Sequence, residues 1–196
     1  MDNQGKPPSL LNRLREGIVQ SPLDGKPFLP LDCVEKEIIR ANVKAQLPSI
    51  FTDLRKPNIY DRILQDAKKV FTILVLIEES KAIKKLLAEG LMDDDLPLSL
   101  KITQGSYQTL VSSRRAFESF RDWKEARVYD FLEKQWLVLA PVFNTGCHHI
   151  KLNVDCAMPF IDSKEITGGA FSYVHKCELP RAHQKDFDVG ETSSTL

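Results

Sequence analysis

From Ile59 onward the chain places apolar side chains at Ile59, Ile63, Ala67, Val70, Leu74 and Ile77, in steps of three or four, with Leu64, Phe71 and Val75 widening the stripe. Such spacing is that of an α-helix, and an apolar face this broad has to be covered by other elements. The stripe therefore predicts a central helix around which a helical region assembles. Its most apolar run, Val70 to Ile77, is far short of the ~20 residues that cross a bilayer, so it reads as a buried helix.

The flanking sequence supplies partners for that helix. Leu10, Leu11, Leu14 and Ile18 recur at helical spacing up to Ser21-Pro22. Pro22, Gly25, Pro27 and Pro30 then mark a loop. Asp32 with Glu35 three residues later forms a capping-box-like start, and Val34, Ile38, Ala41 and Ala45 predict one amphipathic helix ending before Pro48. Ser80 to Gly90 reads as a second helical piece, set off by a break near Glu79 and closed by Gly90 in the left-handed conformation. The same stretch is similar to the second helix of an ankyrin repeat, but only one copy is visible and a single repeat cannot bury its faces. Leu98 to Ile102 is a strand candidate, Arg114 to Phe120 a short helix, and Val128, Phe131, Leu132, Trp136 and Leu139 stripe a helix between Trp123 and Pro141.

Several clusters have chemical potential. Asp93-Asp94-Asp95 resembles a carboxylate metal cluster, yet consecutive residues on a helix cannot face one ion, and capping accounts for them better. Tyr107, Ser112 and Ser113 stand near Arg114 and Arg115 as phosphoacceptors or as plain loop residues. Cys147, His148, His149 and Cys156, with His175 and Cys177 beyond, offer the thiolate and imidazole ligands zinc prefers; Cys147, His149, Cys156 and Cys177 are the candidate set. Paired C-x-x-C spacing is absent, and strand alternation explains His175 and Cys177 equally well.

The chemistry concentrates in Glu165 to Lys176, Glu-Ile-Thr-Gly-Gly-Ala-Phe-Ser-Tyr-Val-His-Lys. Phe160, Ile161 and Ile166 on one side and Phe171, Tyr173 and Val174 on the other predict two short strands joined by a glycine turn. Glycines let backbone N–H groups reach phosphate oxygens with no Cβ between. The run resembles the first glycine-rich hairpin of protein kinases, G-x-G-x-x-G-x-V, whose loop covers the nucleotide phosphates. Aligned on Val174, the glycine positions fall at Thr167, Gly169 and Ser172, so the middle one is retained. Val70 to Gly90, Phe131 to Phe143 and Met158-Pro159-Phe160 resemble the leader of a group of fungal kinase-like proteins, in which a helical region runs into that hairpin.

That resemblance implies nucleotide contacts from Ile166, Thr167, Gly168, Gly169, Ala170, Phe171, Ser172 and Val174, with Ile166 and Val174 against the adenine and Phe171 at the loop tip. ATP and magnesium are the cofactors it implies for the family. None is expected for this chain alone, because no Val-Ala-Ile-Lys-like strand follows Val174 and no His-Arg-Asp appears. Asp186-Phe187 imitates the start of Asp-Phe-Gly, but Asp188 follows. The expectation is a truncated, inactive serine/threonine kinase-like protein; the alternative is a helical interaction or adaptor module.

The whole reads as mainly α: a disordered tail over residues 1–9, a helical bundle-like region over 10–145, a β-hairpin resembling the start of a kinase N-lobe over 146–179, and a polar, disordered tail over 180–196. With 27 basic and 27 acidic residues among 196, no net field favours nucleic acid or an anionic membrane. Partners are then expected to be proteins, met through the helical region. The polar amino terminus lacks a signal-peptide core, and four cysteines without one point to reduced thiols in the cytoplasm or nucleus.

Overall fold

The computed structural model describes residues 8–47, 58–103, 107–146, 151–168 and 173–187. The central stripe forms two helices, α4 (Ile59–Asp66) and α5 (Lys68–Leu76), separated at Ala67, which leaves helical geometry at φ −144° and ψ 31°. A break frees the amides of Lys69 and Val70, which a continuous helix would spend on Gln65 and Asp66. Both donate instead to the Asp93 carboxylate, at 3.0 and 2.9 Å. Part of the acidic triplet thus caps a helix more than twenty residues earlier. Burial pushes the Asp93 carboxyl above its usual range, against the opposing pull of these two hydrogen bonds.

Every residue of α5 from Val70 to Leu76 is buried. The helix is covered by α1 (Leu10–Glu16), α2 (Leu31–Glu37), α4, α6 (Ile83–Glu89), α7 (Glu125–Lys134) and the 3-10 turn Gln135–Val138. Gly90 adopts φ +88° and closes α6. A helix apolar on all sides needs such a complete jacket, and it leaves the Val70 to Ile77 run no free face for a partner.

The amphipathic helix expected from Asp32 to Pro48 is two helices, α2 and α3 (Arg40–Gln46). Ile38 turns out of the helix at φ −88° and ψ 69°, and the Glu37 carbonyl stranded by the turn accepts from the Asn42 side chain at 2.8 Å. The result buries Val34, Ile38, Val43 and Leu47 while Ala41 and Ala45 stay exposed.

A mainly α fold does not describe the molecule. Helix accounts for 46% and strand for 19%, the latter in small separate sheets, giving a mixed α/β architecture. β1 (Val19–Gln20), at the end of the stretch read as helical up to Ser21-Pro22, pairs with β2 (Pro27–Phe28) in the stretch read as a loop. β3 (Ser99–Thr103), β4 (Tyr107–Val111) and β5 (Ala116–Phe117) make an antiparallel sheet, so the short helix expected over Arg114 to Phe120 is a strand followed by the 3-10 turn Glu118–Phe120. The Gln135 side chain, 1% exposed, closes one end of this sheet by accepting from Leu98 N at 2.8 Å and donating to Leu98 O at 2.9 Å. Two-residue strands such as β1, β2 and β5 carry too little alternation to register in a sequence, whereas β3 overlaps the strand expected from Leu98 to Ile102.

β6 (Phe143–Asn144) pairs in parallel with β9 (Gln184–Lys185), at the far end of the described chain. Between them lies the projecting pair β7 (Asp162–Gly168) and β8 (Tyr173–Glu178). Residues 180–187, read from the sequence as part of a polar tail, hold the 3-10 turn Arg181–His183, and the His183 ring is 2% exposed. Its Nε2 accepts from the Leu31 amide at 3.1 Å and its Nδ1 donates to the Pro141 carbonyl at 2.8 Å. Pro30, the N-cap of α2, has no side-chain acceptor; His183 serves that helix start instead. Among the described residues, no helix is long and apolar enough to cross a membrane.

Candidate functional site

The hairpin predicted around the glycine turn is present. β7 and β8 run antiparallel from the pair Asp162↔Glu178 to Gly168↔Tyr173, with a bulge between Glu165 and Thr167 that leaves Ile166 without a partner residue. The connecting residues Gly169, Ala170, Phe171 and Ser172 lie outside the described residues. No third strand joins this pair among the described residues.

Of the residues assigned to nucleotide contact, the described ones, Ile166, Thr167, Gly168 and Val174, stand in solvent. Ile166 is 64% exposed and Val174 49%, and Thr167, paired with Val174, is exposed as well. Tyr173, which the resemblance does not use, is 69% exposed and has a structural task. A Cβ on Gly168 would come within 2.8 Å of its ring, so any larger residue here has to displace the aromatic side chain folded across it. Its open space is occupied from that side by protein. Cross-strand aromatic and glycine placement was the signal in the sequence that could have found this contact.

Lys164 and Lys176 are opposite one another within the hairpin, and Lys185 belongs to the separate β6–β9 pair. Asp186, at φ +58°, offers its carbonyl to Thr145 Oγ1 at 3.0 Å and leads to Phe187, 42% exposed. Three shallow cavities of about 300, 290 and 340 Å³ lie elsewhere: between Cys33 and Pro180, around Trp123 and Arg127, and around Lys26 and Trp136.

The zinc candidates are divided. Cys156 is buried and donates to the Leu139 carbonyl at 2.9 Å, with burial raising its thiol above the ordinary range. Cys177 is on β8, 3.7 Å from Ser163 Oγ, which also meets His175 Nδ1 at 3.2 Å. Cys147, His148 and His149 lie outside the described residues. Among the described residues, no group of three or more His, Cys, Asp or Glu side chains could hold a metal ion. The acidic triplet is likewise dispersed. Asp93 caps α5, Asp95 accepts from Met92 N at 3.1 Å and from Arg115 at 2.9 Å, and Asp94 faces solvent.

The Ser112 side chain folds back into its own turn, accepting from Arg114 N and Arg115 N at 3.1 and 3.2 Å, while Ser113 is exposed. Arg115 is committed to the Gly90 carbonyl, to Asp95 and to the face of Phe117, 5.0 Å from the ring centre. Set against protein-family models, curated proteins and solved structures, the chain matches none.

Proposed function

We propose that this chain is the amino-terminal region of a fungal kinase-like protein, in which a helical body carries a vestigial counterpart of the nucleotide-covering hairpin, and that residues 1–196 transfer no phosphate by themselves. The observation that carries the reading is the antiparallel register of β7 and β8 around a glycine-bearing connection, with Ile166 and Val174 next to that connection. Phosphoryl transfer needs phosphates, metal and nucleophile held together. The sequence supplies no strand-three lysine and no His-Arg-Asp beside this hairpin. ATP and magnesium belong to the kinase resemblance as a whole. A cytoplasmic or nuclear setting goes with the same reading.

The test is incubation of the pure chain with labelled ATP, magnesium and a generic protein substrate. No transfer is expected. Robust turnover that disappears in Gly169→Pro overturns the proposal.

A second reading, a protein-interaction module, draws on one observation. The long apolar runs of the body are covered, whereas Ile166, Tyr173 and Val174 are large apolar residues left in solvent on a two-stranded element. Isolated two-stranded hairpins are marginal in water, so this surface gains most from being covered.

A further inference from the structure

We infer that the outward face of the β7–β8 hairpin is a self-complementary docking surface, on which a second copy of this chain packs face to face. The inference starts from alternation. Asp162 and Lys164 share one face of β7, Lys176 and Glu178 the same face of β8, and the register puts Asp162 opposite Glu178 and Lys164 opposite Lys176. All four side chains are exposed, whereas Ser163 and Cys177 on the other face are half-buried. The outward face therefore reads, from base to tip, as an acidic rung, a basic rung, and then Val174 with Thr167.

Like charges directly opposite on a sheet repel. Exchanging one lysine with its acidic neighbour would give two attractive rungs within the chain. The hairpin carries two repulsive ones instead, and none of the four residues enters an ion pair among the described residues. Such an order is compensated when a second surface brings a basic rung above the acidic one and an acidic rung above the basic one. The same face, turned about a two-fold axis parallel to the rungs and midway between them, does this.

In that arrangement Asp162 of one copy opposes Lys164 of the other, and Glu178 opposes Lys176, an isologous contact of the kind closed dimers use. Rungs on one face are about 7 Å apart and packed sheets about 10 Å, a gap lysine and glutamate can bridge. The rotation also carries Val174 of each copy toward the base of the other hairpin, where Phe160 and Pro180 are half-buried. A hairpin face roughly 20 Å by 10 Å is small beside the ~1,200 Å² of a standard interface. The dimer is accordingly weak, salt-sensitive and seen at high protein concentration.

Sedimentation velocity over a concentration series at low salt tests this. The full chain should self-associate, and should return to monomer near 1 M salt, where screening acts within ~3 Å. Two charge sets decide the geometry: Asp162→Lys with Glu178→Lys makes the face wholly basic, and Lys164→Glu with Lys176→Glu makes it wholly acidic. Each set alone should weaken self-association by about tenfold or more, and an equimolar mixture should form a heterodimer. Circular dichroism confirms that both variants keep the body folded. A wild-type chain monomeric throughout, a dimer indifferent to both sets, or a mixture that stays monomeric each overturns the inference.

Discussion

Replacing His183 by Phe tests how the end of the described chain is fastened to the body. The phenyl ring keeps the edge-to-face contact with Phe28, whose centroid lies 5.8 Å from the imidazole, and removes both ring nitrogens. The Leu31 amide and the Pro141 carbonyl then lose partners held at 3.1 and 2.8 Å. A fully buried stranded group costs about 1–3 kcal/mol; both of these are part-buried, which keeps each to the lower part of that range, so a loss of about 2–4 kcal/mol is expected. Burial holds the His183 imidazole below its ordinary pKa, so on acidification the unfolded chain takes up this proton before the folded one does. Stability from this residue is full above the ordinary imidazole value near 6.5, and is lost as the pH falls through that value toward the depressed one, with a slope of at most about 1.4 kcal/mol per pH unit. Urea unfolding of wild type and His183→Phe at neutral pH and near pH 5.5 gives both quantities. A variant within about 0.5 kcal/mol of wild type, or one that keeps the wild-type slope between pH 7 and 5.5, would refute the reasoning.

Two further substitutions probe the body. Asp93→Ala should cost about 1–3 kcal/mol, because the Lys69 and Val70 amides lose their acceptor at the start of α5, and Asp93→Asn, which keeps one acceptor oxygen without the burial cost of a charge, should cost less; thermal unfolding ranks the pair, and equal losses would discount the cap. Gln135→Leu should cost about 2–3 kcal/mol by orphaning both backbone groups of Leu98, with faster amide exchange across β3 and β4 as its local signature; unchanged exchange there would show that the sheet does not depend on this side chain.

The parts of the fold that could be read from the sequence are those decided by nearest neighbours along the chain. Val70 to Leu76 is apolar on every side and could only be buried; Gly90 ends a run of helix formers and adopts the left-handed conformation expected of it. The break at Ala67 was hidden because Asp93, the group that relieves it, becomes relevant only once the chain has folded back, while the turn at Ile38 is served locally by Asn42 and interrupts an apolar spacing that reads as continuous. His183 stood in a polar stretch with no pattern to single it out. Of the candidate site, the strands were visible in the alternation around Ile166 and Val174. Their exposure was not, since alternation tells which side chains share a face and not what that face meets.

The helix starts served by Asp93 and His183 have a bearing on how the molecule is made. A segment whose first amides wait for an acceptor far downstream gains little by becoming helical early, so a peptide ending after α3 is expected to remain largely unstructured on the ribosome. The acceptor for Leu31 emerges 152 residues later. Completion of the α2 start is thereby tied to synthesis past residue 183, and cleavage before that residue should loosen an element far back along the chain.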